Sequence, residues 1–241
     1  MKQFVWFLCA ALVLESTAWA AAEPRVQVHV APAKIVRRTF DPRNPPKDMP
    51  KLTPPEAGQC VYEFGCEMET RIERPARLFG KTVRGRVTGT IIHTRMNVTL
   101  WTPANGSPVI LEHEEGHRRI CEHYYASAGA VARRIGNIVV GAVLTLPARD
   151  EAAAQRVLEE FQGKFIQTYL DETLHRCSVA QDHFDAITHH SMARVPVNSA
   201  VERAIAEEAR AHAQASNASS PDRAKPRARS APTRPRPHEK S

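Results

Sequence analysis

Residues 96–117 read Met96-Asn97-Val98-Thr99-Leu100-Trp101-Thr102-Pro103-Ala104-Asn105-Gly106-Ser107-Pro108-Val109-Ile110-Leu111-Glu112-His113-Glu114-Glu115-Gly116-His117. Met96, Val98 and Leu100 alternate with Asn97, Thr99 and Trp101, as in a half-buried strand. The stretch 102–106 ends that strand. Ser107 can then cap a helix, with Pro108 at the first position, where a missing N–H costs nothing. The helix is predicted to run to about Ile135 and to stop near Gly136-Asn137. Its inner stripe is Ile110, His113, His117, Ile120/Cys121, Tyr124, Ala128 and Val131, at spacings of three and four.

Upstream, residues 82–101 read as two strands broken near His93-Thr94, and Val26 to Val30 as a third. Residues 41–55 hold six prolines and read as an extended connector. Ile138 to Leu146 is an apolar run, nine residues long, read as buried core. After Pro147 comes a second long helix with Val157, Phe161, Phe165, Tyr169 and Leu170 on its buried face. It continues, with a break near Cys177-Ser178, into Asp182 to His190; a polar helix covers Asn198 to Ala213. The expected fold class is α+β: a small, mainly antiparallel sheet, then two or three long helices around a zincin-like metal site.

The chain has 241 residues and a formal charge of +7. Residues 216–241 carry seven Lys/Arg against Asp222 and Glu239, and the first 20 residues are neutral, which leaves a body near +2. That distribution argues against a nucleic-acid binder. Lys2, the apolar run Phe4–Leu14 and Ala18-Trp19-Ala20 form a signal-peptide pattern, cleaved near Ala20. The run is too short to span a bilayer, and no later stretch is long enough. The expected organisation is a signal peptide at 1–20, an N-terminal strand and Pro-rich connector at 21–59, a metallopeptidase-like domain at 60–195, a polar helix at 196–215 and a disordered basic tail at 216–241. The expected location is periplasmic or secreted, with the tail contacting anionic envelope polymers. Four cysteines follow the signal, and an even count in an exported chain points to two disulfides. Cys60–Cys66 and Cys121–Cys177 are the preferred pairs.

The chemistry lies in His113-Glu114-Glu115-Gly116-His117. Histidines at i and i+4 share one helix face and can both ligate one zinc ion. Glu114 then stands beside the metal, placed to act as general base on a metal-activated water and to return the proton to a leaving amine. A strand before such a helix offers an edge to an extended peptide substrate. Gly116 costs the helix about 1 kcal/mol against Ala, through close approach of another element or simple tolerance.

The third ligand has three sources. His123 fits the metzincin spacing, but Ile120 stands where that motif needs glycine. Glu151, Glu159, Glu160 and Glu172 lie on the second helix. The last source is the cluster Asp182-His183-Phe184-Asp185-Ala186-Ile187-Thr188-His189-His190.

His-Glu-x-x-His followed by Phe184-Asp185-Ala186-Ile187-Thr188-His189-His190-Ser191 resembles a bacterial family of exported zinc proteases, domain of unknown function 922. That family carries Tyr-Asp-x-x-Thr-x-His-Gly on a later helix; Asp185, Thr188 and His190 match, with Phe184 for Tyr and Ser191 for Gly. Leu100-Trp101-Thr102-Pro103 is also similar, and the resemblance spans roughly 60–195. It implies zinc peptidase activity, with His190 as third ligand and Asp185 as ligand or orienting partner; His189, in the same cluster, is a further candidate. A Cys121–Cys177 disulfide would fix that geometry. The expected function is an exported zinc (Zn2+) peptidase acting on a peptide or protein substrate. The other reading is a non-catalytic metal-binding cell-envelope protein.

Overall fold

The computed structural model describes residues 25–73 and 81–218. The signal-peptide pattern and nearly all of the basic tail lie outside the described residues. The elements are β1 (Val26–Val30), β2 (Lys34–Phe40), β3 (Gln59–Glu73), β4 (Thr82–Pro103), α1 (Pro108–Ala126), α2 (Ala128–Val139), β5 (Val143–Pro147), α3 (Glu151–Leu170), α4 (Arg176–Thr188) and α5 (Val197–Ala218). Asp171–His175 is a π-helical segment joining α3 to α4 without a break.

The fold is α+β, built on the 22-residue strand β4. Instead of the expected break near His93-Thr94, β4 runs straight through. β3 pairs along one side of it, antiparallel from Gln59↔Trp101 to Glu73↔Arg86. Arg86, Thr90 and Leu100 have partners in β3 and also in β5, β1 and β2 respectively, so those three short strands share the other side. The expected mainly antiparallel sheet is corrected: β1 and β2 are parallel to β4. The reason is β3. Its alternation of Cys60, Tyr62, Phe64, Cys66, Met68, Thr70 and Ile72 with Val61, Glu63, Gly65, Glu67, Glu69 and Arg71 is a period-2 signal not recognised in the sequence reading. The chain passes along β2, returns along β3 and comes back as β4 between them, which makes β2 and β4 parallel. Ala31-Pro32-Ala33 divides β1 from β2, as a proline on an edge requires.

All helices cover one face. Phe64, Met68, Ile92, Met96, Val98 and Leu100 from the sheet meet Ile120, Tyr124, Ala128, Ile135, Tyr169 and Phe184 in one core. The opposite face carries Glu63, Glu67, Arg95 and Asn97, with Arg95 2.6 Å from Glu67. The loop after β2 closes over Trp101 with Phe40 and Met49.

The long first helix is two: α1 ends at Ser127 and α2 runs past Gly136. Ser127 Oγ donates to Tyr124 O at 2.9 Å, a local bond that competes with the helix ladder. Ser107 caps α1 with its backbone carbonyl, which accepts from Ile110 and Leu111, rather than with its side chain. The apolar run 138–146 is split between the end of α2 and β5.

α5 is part of the core, with Ala200, Val201 and Ala204 buried against it. Its Glu208 is 3% exposed and accepts from Arg176 at 2.7 and 2.8 Å and from Tyr124 Oη at 2.7 Å. Burial raises the Glu208 pKa, but the Arg176 and Tyr124 hydrogen bonds outweigh it and hold the carboxyl below the usual range. A depressed folded pKa stabilises above the unfolded value of about 4.3 and loses that contribution as pH falls through the folded value. Glu208→Gln is expected to cost about 2 kcal/mol near neutrality, below the full cost of a broken buried pair because Arg176 keeps contact with water. Urea unfolding at pH 6 and pH 3 checks this: the variant should lose less stability on acidification than the wild type.

Candidate metal centre

α1 buries one face, and His113, Glu114, Gly116 and His117 all lie on it. α4 crosses beneath, with Phe184 fully buried. The His113 ring stacks on Phe184 at a centroid distance of 5.0 Å, and His117 meets it edge-on at 4.9 Å. A Cβ on Gly116 would lie 2.5 Å from Phe184 Cζ and 2.9 Å from Val197 Cγ1. Gly116 is therefore explained by the close approach of Phe184 and not by tolerance.

This packing brings three ligand atoms together. His113 Nε2 and His117 Nε2 are 3.1 Å apart. Asp185 Oδ1 lies 3.3 Å from the first and 3.2 Å from the second. A tetrahedral ion bound at 2.0–2.1 Å has ligand–ligand edges of about 3.3–3.4 Å. The three atoms form a nearly equilateral face of that size. Asp185 Oδ1 is also buried with no hydrogen bond of its own. Two imidazole nitrogens and a carboxylate oxygen form a donor set that suits a divalent transition metal. His113, His117 and Asp185 could hold such an ion, and they are the one group of this kind among the described residues.

The lone pairs point the right way. Gln181 Nε2 donates to the His117 backbone carbonyl at 3.0 Å, which fixes the amide orientation, since a carbonyl only accepts. Gln181 Oε1 then faces His117 Nδ1 at 2.5 Å, so Nδ1 carries the proton and Nε2 offers its lone pair. Gln181 was not singled out in the sequence. It lies one helical turn before Asp185 on the same face, a position that carries no signature by itself. Burial raises the Asp185 pKa, but the two imidazoles facing it, His113 and His117, outweigh it and hold the carboxyl well below the usual range.

Glu114 is 3% exposed, and its Oε2 has no hydrogen-bond partner. Burial pushes its carboxyl up to about 7. Gly58 approaches so closely that a Cβ there would lie 2.7 Å from Glu114 Oε1. The cavity over the cluster is lined by Glu56, Gly58, Gln59, Cys60 and Tyr62 on one side and by Asp182, Asp185 and His190 on the other.

The other candidates fall elsewhere. His190 lies beside the group rather than in it, its Nδ1 3.6 Å from Asp185 Oδ1. It sits in a left-handed turn, with φ of 47°, 51° and 71° at His189, His190 and Ser191. His189 is exposed, and so is His123, which turns away because α1 continues through Ile120. Glu172 pairs with Arg134, and Glu151, Glu159 and Glu160 are not part of the group. The edges of β4 are both occupied, so the strand before α1 has none to offer; the start of β3 borders the cavity instead.

The four cysteines among the described residues are free thiols. Cys60 and Cys66 cannot pair: six residues along one strand separate them by about 20 Å, against the 4.4–6.8 Å that disulfide Cα atoms need. Cys121 and Cys177 are in contact, with sulfurs 3.8 Å apart.

No family model matches the chain, and neither a curated protein nor a solved structure matches it. Ser191, at φ 71°, occupies a conformation that favours glycine.

Gly116→Ala should test the packing under the cluster. Helix propensity alone would gain about 1 kcal/mol. Overpacking against Phe184 costs about 1–3 kcal/mol, so denaturant titration should show a net loss of roughly 1 kcal/mol. A more stable variant would mean that Phe184 does not hold this position.

Proposed function

We propose that the protein is an exported zinc-dependent peptidase. The observation that carries the reading is the triangle of His113 Nε2, His117 Nε2 and Asp185 Oδ1, with edges of 3.1–3.3 Å and Glu114 beside it. Three protein ligands leave a fourth position open, as catalytic zinc sites do and closed structural sites do not. Asp185 is the third ligand in this reading, in place of His190. Zinc, when bound, supplies a Lewis acid and lowers the pKa of water to about 7.

The chain's own residues do the rest. Gln181 holds His117 in the tautomer that presents Nε2. Glu114 takes the proton of the attacking water and delivers it to the leaving amine. Its burial against Gly58 keeps the carboxylate poorly solvated and so a stronger base than one in water. An extended substrate lies along Gln59–Tyr62, at the start of a strand whose outer side is an edge among the described residues. The signal-peptide pattern supports export, and the Asp185, Thr188 and His190 matches support the family likeness.

Metal analysis and cleavage of casein or a fluorogenic peptide test the proposal. The wild type should carry one zinc per chain and cleave. Glu114→Gln should keep the zinc and lose at least about 100-fold in kcat, the usual contribution of a general base. Asp185→Ala should weaken zinc binding by about 100-fold or more, while His190→Ala stays within a few-fold of wild type. Bound zinc without cleavage in the wild type would overturn the peptidase reading in favour of a metal-binding envelope protein. Zinc loss in His190→Ala with none in Asp185→Ala would overturn the ligand assignment.

A further inference from the structure

Three of the four thiols among the described residues cluster where the cavity meets the core. Cys60, on the inner face of β3, borders the cavity. Cys121 on α1 and Cys177 on α4 are both 0% exposed. Cys60 packs against the core cluster that holds Cys121 and Cys177, and the Cys121 thiol interacts with both of the others. Its sulfur is 3.8 Å from that of Cys177. Gln181 Nε2 lies 3.2 Å from the Cys121 sulfur and 3.7 Å from that of Cys177, while the same amide orients His117. The Cys66 thiol sits further along β3 and is not part of the cluster.

We propose that Cys60, Cys121 and Cys177 form a thiol–disulfide relay, in which Cys60 receives oxidising equivalents from a disulfide in solution and passes them inward to cross-link Cys121 with Cys177. The buried pair has no access of its own to an oxidant, and buried thiols in apolar surroundings are inert to outside reagents. Cys60 supplies the access, and Cys121 is the one sulfur placed to exchange with both neighbours.

The steps balance with glutathione disulfide as the oxidant. The Cys60 thiolate attacks one sulfur of glutathione disulfide, forming a mixed disulfide and releasing one glutathione thiolate, which takes up a proton. Cys121, having lost its proton to solvent, attacks the Cys60 sulfur and releases the second glutathione. Cys177, likewise deprotonated, attacks the Cys121 sulfur and releases Cys60, which regains a proton. Two protein thiols have lost two electrons and two protons, and glutathione disulfide has become two glutathione molecules. The Cys121 contact and burial raise the Cys177 thiol, and at Cys121 the lowering by Cys177 is outweighed by the Cys60 contact and burial, so both inner thiols stay protonated and the inner transfers are the slow ones. The product ties the helix of His113 and His117 to the helix of Asp185. This inference stands whether or not the protein cleaves peptides.

The experiment starts from the full chain, reduced and desalted, and adds glutathione disulfide. Timed samples are alkylated and their disulfides mapped by mass spectrometry. Wild type should accumulate the Cys121–Cys177 cross-link. Cys60→Ser should reach the same product at least about tenfold more slowly, since the buried pair must then wait for local opening. Cys177→Ala, confirmed as folded by circular dichroism, should stop at a Cys60–Cys121 cross-link; Cys177→Ser serves if alanine does not fold. Equal rates in wild type and Cys60→Ser would overturn the relay, as would a wild type that forms no Cys121–Cys177 cross-link. A Cys177 variant that never links Cys60 to Cys121 would also overturn it.

Discussion

The contact between Gly116 and the Phe184 ring is what the metal cluster depends on. Helix α1 carries two imidazoles on one face, but two histidines do not complete a candidate metal site. The third donor must come from another element, at a distance fixed to a few tenths of an ångström. A side chain at residue 116 would push α4 away, because the Phe184 ring occupies that space. With glycine there, Phe184 reaches α1 between the histidines, stacks on one and meets the other edge-on. Asp185, the next residue, then arrives opposite both Nε2 atoms. A residue unfavourable to the helix by about 1 kcal/mol thus allows the approach of the two ligand-bearing helices.

The same logic explains why Asp185 rather than His190 meets the two imidazoles. Phe184 and Asp185 lie in the last turn of a regular helix, locked by core packing and by the Thr188 hydroxyl donating to Phe184 O at 2.8 Å. His190 follows the helix end, in a turn with three consecutive positive φ values. Such a turn carries the chain away from the helix axis, and it leaves the imidazole at the rim of the cavity. A ligand on the rigid element is placed more accurately than one on the turn behind it.

How far this was legible in the sequence differs between levels. The α1 face was readable because the i, i+4 spacing of His113 and His117 coincides with the apolar stripe through Ile120 and Tyr124. The Asp182–His190 cluster was readable as a source of ligands, yet the choice within it was not, since one helical turn separates its members and only packing selects among them. The sheet was misread at β3. Four of its outward residues are acidic, so its mean hydropathy hides the apolar alternation of its inner face. Missing that one strand turned a mixed sheet into an antiparallel one. Gln181 was invisible for a different reason: an isolated glutamine has no signature until its two neighbours in space, His117 and Cys121, are known.

Gln181 also joins two properties that the chain keeps apart in sequence. Its oxygen sets the tautomer of a metal-facing histidine, and its nitrogen rests on the His117 carbonyl and against the sulfurs of Cys121 and Cys177. An amide that serves both cannot move for one without moving for the other. Closing the Cys121 and Cys177 sulfurs from 3.8 Å to bonding distance would draw α1 toward α4 at these two residues, Cys121 one turn from His117 and Cys177 two from Asp185. The displacement needed is under 2 Å and is shared between two helices and two rotatable side chains. A core packed this tightly transmits such a shift rather than absorbing it. A change at the paired thiols would therefore be felt at the His113, His117 and Asp185 group, through the one buried amide that touches both.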